Sequence, residues 1–313
     1  MKVAITGGTG FIGKLLIQKH LDAGDTVRML TRKPDTLYVH QNLQIHVGNL
    51  SDSNSLHAFG DGIDVLYHCA AELRDESKMQ DVNVNGTENL IKAVAGKINH
   101  WVQLSSVGVY GPVFSGMVYE NQECKPENEY EKTKLVSDQL VFEAGRQNLF
   151  TYTMIRPSNV FGASMSNKSI FDLVKSIDKG YYFFIGAKGA SANYVPVENV
   201  VEALYLAATH PNAKNEIFNI SDWRTIESFT GSIALALGKR EPRLRMPDGL
   251  MEVLAKATAF VPGNPLTVSR VKALSSKSKY PTDKIEQKLG YKSAVSVEKV
   301  INELVAHYIQ NIK

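Results

Sequence analysis

Two residues of this chain, Tyr130 and Lys134, have the types and the spacing that proton transfer to a carbonyl oxygen requires. Residues four positions apart lie on one face of a helix, and a helix is predicted to begin near Tyr130. Tyrosine is a poor base at its usual pKa of about 10, but a lysine ammonium one turn away stabilises the phenolate and lowers that pKa. The pair predicts acid–base chemistry, with Tyr130 exchanging the proton and Lys134 tuning its pKa.

A serine would complete this chemistry, because its hydroxyl can hydrogen-bond the substrate oxygen on which negative charge develops. Ser105 and Ser106 directly follow the predicted strand Asn99–Leu104. Ligands of α/β sheets bind beyond such carboxyl ends of strands. Tyr-x-x-x-Lys pairs are common on helix surfaces, so the assignment depends on what the rest of the chain supplies.

The first thirteen residues predict a phosphate-binding turn. Lys2–Thr6 is a short apolar run typical of a buried strand, and the spacing after it predicts a helix over Lys14–Leu21. Between them Gly7 permits a tight turn, Gly10 lets backbone approach a pyrophosphate, and Gly13 lets the helix pack closely on the strand. The anion would bind free N–H groups at the positive end of the helix, although a glycine-rich turn without a ligand is the alternative.

The end of the second predicted strand indicates which dinucleotide binds. Thr26–Leu30 leads into Thr31, Arg32 and Lys33. An acidic residue at this place binds the ribose 2′-hydroxyl of NAD, whereas a basic residue accommodates the 2′-phosphate of NADP. The two cations favour NADP over NAD. The alternative is a solvated basic turn without a ligand, and the nearby acidic Asp35 weighs against NADP.

Strands and helices alternate through the first half of the chain. Further strands are predicted at Leu43–Val47, Asp64–His68 and Phe150–Ile155, and a long helix at Met79–Ala95. This alternation predicts an α/β fold with a doubly wound parallel sheet. We expect a dinucleotide-binding domain at 1–162 and a smaller, mainly substrate-binding part at 163–313, with 193–220 returning to the cofactor domain.

Four segments carry a resemblance to a known family. They read T-G-G-T-G-F-I-G at the N-terminus, N-V-N-G-T-E-N-L in the long helix, R-P-S-N-V-F-G after the sixth strand, and Y-P-T-D-K-I-E-Q-K-L-G-Y near the end. The chain resembles the extended short-chain dehydrogenases/reductases, the NAD(P)-dependent epimerase/dehydratase family, over nearly its whole length. The resemblance implies a Rossmann fold and an oxidoreductase.

The resemblance also implies roles for individual residues. Ser106 is preferred to Ser105 as the catalytic serine, since it stands four residues before Tyr110 as in the family. Asn159 would face the substrate, and Arg270 would bind a diphosphate, with a surface arginine as the alternative. The positions implied for the cofactor are Gly7, Gly10, Phe11, Ile12, Gly13, Thr31, Arg32, Lys33, Asn49, Leu50, Ala70, Ala71, Asn85, Tyr130, Lys134 and Pro157.

Two departures from the family pattern bear on the reaction. Asn49 stands where extended members usually carry an acidic residue beside the adenine, a mild change because the amide can still meet an adenine edge. Val107 and Gly108 stand where nucleotide-sugar dehydratases carry an acidic pair. Neither side chain can perform acid–base work, so a dehydratase is not expected.

Composition excludes several classes of function. The 313 residues are 43% hydrophobic and 21% charged, and the net charge of +3 argues against a nucleic-acid-binding protein. Cys69 and Cys124 lack metal spacing and form no disulfide framework, so no metal site is predicted. His68 and Cys69 are interpreted as packed wall residues. Because no signal peptide or membrane-spanning run is evident, we expect a cytoplasmic protein without a membrane partner.

The preferred function is NADP-dependent reduction of a keto group on a nucleotide-linked deoxysugar. An NAD-dependent nucleotide-sugar 4-epimerase and a reductase of a non-sugar, flavonoid-like or steroid-like ketone remain alternatives. A non-catalytic NADP sensor ranks last, because such relatives typically lose the Tyr–Lys pair. The resemblance further implies a homodimer formed through the helices Met79–Ala95 and Tyr130–Gly145.

Overall fold

The computed structural model describes residues 1–34, 39–165, 169–258, 260 and 266–311. Its strands are β1 (Lys2–Thr6), β2 (Thr26–Thr31), β3 (Leu43–Val47), β4 (Val65–His68), β5 (His100–Leu104), β6 (Ser115–Met117), β7 (Thr151–Pro157), β8 (Asn159–Phe161), β9 (Phe184–Ile185), β10 (Ser191–Ala192), β11 (Tyr194–Pro196), β12 (Glu216–Ile220), β13 (Arg224–Thr225), β14 (Arg245–Met246) and β15 (Lys277–Lys279). Its α-helices are α1 (Phe11–Asp22), α2 (Glu76–Met79), α3 (Gly86–Val94), α4 (Glu129–Arg146), α5 (Ser169–Asp178), α6 (Val197–Thr209), α7 (Ile226–Ala236), α8 (Asp248–Ala257), α9 (Val268–Leu274), α10 (Asp283–Leu289) and α11 (Val297–Asn311).

Seven parallel strands form the central sheet in the order β12-β7-β5-β4-β1-β2-β3. The chain therefore runs outward from β1 through β2 and β3, and then from β4 in the opposite direction. This reversal is the topology of a doubly wound sheet, and it places a ligand crevice at the carboxyl ends of β1 and β4. The α/β fold class predicted from the sequence is confirmed.

Helices cover both faces of the sheet because its strands are apolar on both sides. On one face, Val3 and Ile5 of β1 share a buried cluster with Leu16 of α1 and Leu204 of α6. On the other face, buried residues of α3 and α4 pack against Trp101 and neighbouring strand residues. A third buried cluster joins α5, α7 and α11 in the C-terminal half.

The segment 193–220 contributes to the central sheet. β12 lies at the sheet edge beside β7, with five residues in parallel register, and α6 packs on the core described above. The closing segment also reaches this core: Ile285, Leu289 and Tyr291 are buried there, and Lys284 donates to the Ile217 carbonyl at 2.8 Å. Residues from both ends of the chain thus hold one sheet together.

The predicted helix Met79–Ala95 is confirmed as a continuous helical stretch, but its central part is not α-helical. The structure has α2, then a π-helical segment at Gln80–Asn85, and then α3. The buried Asn83 side chain accepts from the Glu72 amide at 2.7 Å and donates to Thr133 of α4 at 3.1 Å. At Gly86 a Cβ atom would lie 2.9 Å from the Leu50 Cβ. Long-range contacts, which helix spacing does not encode, therefore shape this segment.

No α-helix in the described ranges combines the length and the apolar character that crossing a bilayer requires.

Candidate active site

The glycine turn between β1 and α1 is tightly folded. Gly7 has φ +70°, and the Gly10 amide donates to the Gly7 carbonyl at 2.9 Å. A Cβ atom on Gly13 would lie 2.2 Å from that same carbonyl oxygen, and one on Gly7 would lie 2.7 Å from the Ala70 nitrogen. Side chains at these positions would force the backbone apart, so Gly7 and Gly13 have the steric roles predicted for them.

The first turn of α1 has the properties of an anion site. Gly10 is its N-cap and supplies no side-chain hydrogen bond, and the first turn carries no acidic residue. The amide groups at the helix start are therefore not satisfied by a capping side chain, and the helix dipole favours negative charge there. A dinucleotide pyrophosphate fits this cradle.

Other positions implied for the cofactor line the same end of the sheet. Ala70 and Ala71 follow β4, and Pro157 ends β7. Phe11 connects two of the sequence motifs, since its ring lies 3.0 Å from the position of a Cβ atom on Gly162. The glycine turn and the R-P-S-N-V-F-G segment therefore meet at one place.

The tip of β2 presents cations to solvent. Arg32 and Lys33 are exposed directly after the strand. The Thr31 hydroxyl donates to the Lys33 carbonyl at 2.8 Å, which holds the tip in a turn. Asp35, the acidic residue weighed against NADP, lies outside the described residues.

Ser106, Tyr130 and Lys134 converge beyond the carboxyl end of β5. Asn128 caps α4 in a reciprocal capping box with Glu131, which fixes the helix start beside Tyr130. The Ser106 side chain lies near enough to the Tyr130 hydroxyl to lower its pKa, and it accepts from the Gly108 amide at 3.0 Å. The buried Lys134 ammonium donates to the Leu104 carbonyl, the last of β5, at 2.7 Å.

The pKa expected for Tyr130 is wrong for this structure. Burial raises the pKa of Tyr130 to about 12, and the nearby Ser106 side chain only partly opposes that effect. Burial also lowers the pKa of Lys134, while the Asp138 carboxylate acts in the opposite direction. Because the Lys134 ammonium is directed to the Leu104 carbonyl, it does not produce the predicted lowering. Tyr130 is therefore a neutral phenol that can give a proton away.

The two adjacent serines have different surroundings. The Ser105 hydroxyl is buried and donates to the Asp138 Oδ2 at 2.6 Å. Ser106 instead lies at the start of the short helical turn Val107–Tyr110 and next to Tyr130. The geometry thus joins Ser106, and not Ser105, to the Tyr–Lys pair.

A buried ion pair behind the site was missed by the sequence analysis. The Arg156 Nη2 lies 3.3 Å from the Asp138 Oδ2, and its Nη1 donates to the Tyr110 hydroxyl at 3.2 Å. Burial alone would lower the pKa of Arg156, but Asp138 and Tyr110 raise it, so the guanidinium stays charged. Asp138 follows Tyr130 and Lys134 at intervals of four on α4, and this continued helical face was the available signal.

His68 and Cys69 are packed as predicted. The buried His68 ring contacts the Thr6 hydroxyl at 2.7 Å and the Thr87 hydroxyl at 3.0 Å. Burial lowers the pKa of His68 to about 3 and raises the pKa of Cys69 to about 12. A neutral imidazole with both nitrogens engaged and a protonated thiol cannot serve as base or nucleophile at neutral pH.

Comparison with known proteins agrees with this geometry. The sequence model of the NAD dependent epimerase/dehydratase family matches residues 3–221, which include the glycine turn and the Tyr–Lys pair. The chain belongs to that family. The members of this family are enzymes, and oxidoreductase and epimerase activities both occur among its relatives.

Two curated relatives match this family member over most of its length. The 3 beta-hydroxysteroid dehydrogenase/Delta 5-->4-isomerase of Mycobacterium tuberculosis is 27% identical over 98% of this chain and 90% of the relative. The N-acetyl-alpha-D-glucosaminyl-diphospho-ditrans,octacis-undecaprenol 4-epimerase of Escherichia coli O157:H7 is 26% identical over 90% of this chain and 88% of the relative. Both lie at a distance where the fold is shared and the substrate is not determined.

Among solved structures, the UDP-glucuronic acid 4-epimerase from Bacillus cereus in complex with NAD superimposes with a TM-score of 0.76. It is 20% identical, and the match covers 100% of both chains. At this identity the likeness establishes the epimerase/dehydratase fold alone.

Four further predicted positions of this epimerase/dehydratase chain are exposed. Asn85 is exposed at the N-cap of α3, while Asn83 is the buried asparagine of its motif. Asn49 is exposed in the turn after β3, where its amide nitrogen donates to Ser55 at 2.9 Å. Asn159 is exposed at the start of β8, and Arg270 is exposed on α9.

Proposed function

We propose that this chain is an NADP-dependent oxidoreductase that interconverts a ring ketone and the corresponding secondary alcohol. The observation that carries the proposal is the convergence of the Ser106 and Tyr130 hydroxyls at the carboxyl end of β5, with Lys134 one helical turn away. The glycine cradle at α1 supports dinucleotide binding, and the exposed Arg32 and Lys33 support NADP.

In this proposal the nicotinamide supplies or accepts the hydride, and the protein moves the proton. Tyr130, whose pKa is raised to about 12, stays protonated at neutral pH and gives its proton to the oxygen of the ketone during reduction. Ser106 accepts a hydrogen bond from the Gly108 amide, so its own O–H remains available to stabilise charge on the substrate oxygen. Lys134 is anchored by the Leu104 carbonyl, one helical turn from Tyr130.

We favour a non-sugar, steroid-like ring ketone or alcohol over the nucleotide-linked sugar preferred from the sequence. The match to the 3 beta-hydroxysteroid dehydrogenase/isomerase extends over 98% of this chain, including the C-terminal half in which substrate specificity is expected. The preference rests on the extent of this match.

An epimerase of a diphosphate-linked sugar is the second candidate. It is supported by the match to the undecaprenol-linked 4-epimerase, at 26% identity over 90% of this chain. An epimerase would use the same Ser106, Tyr130 and Lys134 but return the hydride to the substrate. It would therefore show no net change of the cofactor.

A substrate panel with each cofactor separates these candidates. Purified protein is mixed with NADPH and ring ketones, or with NADP and ring alcohols, including 3-keto and 3β-hydroxy steroids and nucleotide-linked 4-keto-6-deoxy sugars. Nicotinamide absorbance reports net oxidation or reduction, and chromatography of UDP-linked sugars reports epimer exchange. Tyr130→Phe is the inactive control.

Stoichiometric cofactor turnover with a steroid-like compound, lost in Tyr130→Phe, is the expected result. Turnover confined to keto sugars would contradict the proposed steroid-like substrate class but would support the proposed oxidoreductase reaction. Interconversion of sugar epimers without net nicotinamide change would establish the second candidate. Tight NADP binding without turnover of any compound would contradict both enzymatic candidates and favour a non-catalytic NADP sensor.

A further inference from the structure

Helix α8 has two separate apolar faces. Met251 and Ala255 are buried. Leu250, Val253 and Leu254 are instead 46%, 62% and 40% exposed. At about 100° per residue these three side chains lie together on a stripe that is turned well away from the buried pair. We call Leu250, Val253 and Leu254 the exposed face of α8.

The buried face of α8 already has its partner. Met251 and Ala255 share a small core with Ile185 and with Val271 of α9, so α8 and α9 form a packed pair. The exposed face of α8 is therefore not needed for this packing. Further large apolar side chains are exposed nearby in sequence, with Phe260 83% and Leu274 50% exposed. Grouped exposed apolar side chains, such as those on the exposed face of α8, mark an interaction site.

The segment around these helices is strongly basic. Residues 239–279 contain nine Lys or Arg and three Asp or Glu, a net charge of +6, whereas the whole chain has +3. The remainder of the chain therefore carries −3. Exposed cations stand on or next to both helices, among them Lys256 on α8 and Lys272 on α9. Lys239 and Arg245 pair with Asp178 and Glu227 outside this segment, so the exposed cations that stand closest in sequence to the apolar side chains are Lys256 and Lys272.

We propose that the α8–α9 pair binds the surface of an anionic lipid bilayer. The exposed face of α8 enters the boundary between headgroups and acyl chains, and the surrounding Lys and Arg side chains contact lipid phosphates. Such a helix lies in the plane of the interface, a mode distinct from the spanning segment that the sequence analysis sought. A second copy of the same chain fits the surface less well, because two positively charged patches would repel each other.

Vesicle flotation with the full chain tests this inference without any substrate, so its outcome is independent of the proposed reaction. Vesicles of phosphatidylcholine alone are compared with vesicles containing about 30 mol% phosphatidylglycerol, at ionic strengths of about 0.05 M and about 0.5 M. We expect binding to the anionic vesicles, at least ~fivefold weaker at the higher salt, and little binding to neutral vesicles.

Matched variants locate the contact. The double variant Val253→Ser/Leu254→Ser should reduce vesicle binding at least ~fivefold. Leu235→Ser, which changes an 81% exposed leucine on α7, should not reduce it. Lys256→Glu/Lys272→Glu should weaken binding, and Lys299→Glu on α11 should leave it nearly unchanged. Circular dichroism verifies that each variant is folded.

Three results would overturn the proposal. The first is no binding to anionic vesicles by the folded parent protein. The second is vesicle binding that the α8 and α9 variants leave at parental strength. The third is a dimer, seen by analytical ultracentrifugation in the parent and lost in Val253→Ser/Leu254→Ser, which would assign the exposed face to a second copy of the chain.

Discussion

The protonation state of Tyr130 determines in which direction this site works most easily. Burial raises the pKa of Tyr130 to about 12, so the neutral phenol predominates throughout the physiological range. A neutral phenol is ready to donate its proton to an oxygen that gains negative charge, as in ketone reduction. Alcohol oxidation needs the phenolate, which becomes populated only as the pH rises toward that pKa.

Replacing Tyr130 with Phe tests this role directly. The ring and its packing remain while the proton is lost, so we expect turnover to fall on the order of a hundredfold or more, with cofactor affinity nearly unchanged. In the parent, oxidation should accelerate with increasing pH, whereas reduction should persist through neutral pH. Steady-state rates over a pH series provide the measurement, and near-parental turnover in Tyr130→Phe would remove the tyrosine from the mechanism.

In the proposed function, the cations at the β2 tip select the cofactor. Arg32 can form a forked contact with a ribose 2′-phosphate, and Lys33 adds a second charge. In Arg32→Ala/Lys33→Ala the affinity for NADPH should fall more than tenfold, because a charged hydrogen bond contributes about 1.5–3 kcal/mol. The NADH affinity, measured in parallel by fluorescence titration, should hardly change. Equal losses for both cofactors would contradict the assignment.

At the scale of elements, the conformation of the β1–α1 turn depends on close packing between backbone atoms. Gly13 has room for no side chain, since its Cβ would lie 2.2 Å from the Gly7 carbonyl oxygen. The Gly7 oxygen belongs to the backbone, and the position of a Cβ atom is fixed by the backbone, so rotating a side chain cannot relieve this clash. Any added atom would therefore displace the start of α1, where the pyrophosphate is proposed to bind.

Gly13→Ala should accordingly weaken both the fold and the cofactor site. We expect the free energy of unfolding to fall by about 1–3 kcal/mol, the usual range for overpacking, and NADPH affinity to fall more than about tenfold. Gly249→Ala in α8 is the matched control, because its Cβ meets nothing within 4 Å. Denaturant unfolding and fluorescence titration of both variants provide the comparison, and two equal responses would contradict the steric argument.

Apolar runs and helical spacing in the sequence predicted those strands and helices whose bounds depend on neighbouring residues. β1 and β3 have the bounds expected from their apolar runs, and α4 begins one residue before Tyr130. The π-helical segment at Gln80–Asn85 could not be predicted, because the Asn83 contacts come from residues 11 and 50 positions away. The same holds for the Asp138–Arg156 pair, which joins α4 to β7 across 18 positions. Spacing identified the helix face that carries Tyr130 and Lys134 but not the strand that supports it.

At the scale of the whole molecule, the cofactor-binding half is completed by residues far along the chain. β12 adds the edge strand next to β7, and α6 covers the face on which Val3, Ile5 and Ile155 are fully buried. Glu216 of β12 is in turn paired with Lys284 and Lys288 of α10. The sequence boundary at 162 divides proposed functions, while the sheet and its cover extend beyond it.

A chain that ends at residue 162 should therefore fail to fold as a cooperative unit. It would lack β12, α6 and α10, and thus a large part of the cover on the face that α1 and α6 share. Uncovering a buried aliphatic side chain costs roughly 1.5–3 kcal/mol. Losing cover over about five of them would cost on the order of 8–15 kcal/mol, which equals the whole stability of a typical domain.

We expect fragment 1–162 to show no sigmoidal thermal transition by circular dichroism and no saturable NADPH binding. Fragment 1–222, which regains α6 and β12, should recover part of both. Cooperative unfolding of fragment 1–162 with near-parental NADPH affinity would show instead that the first half is an autonomous domain to which the later strand and helices merely dock.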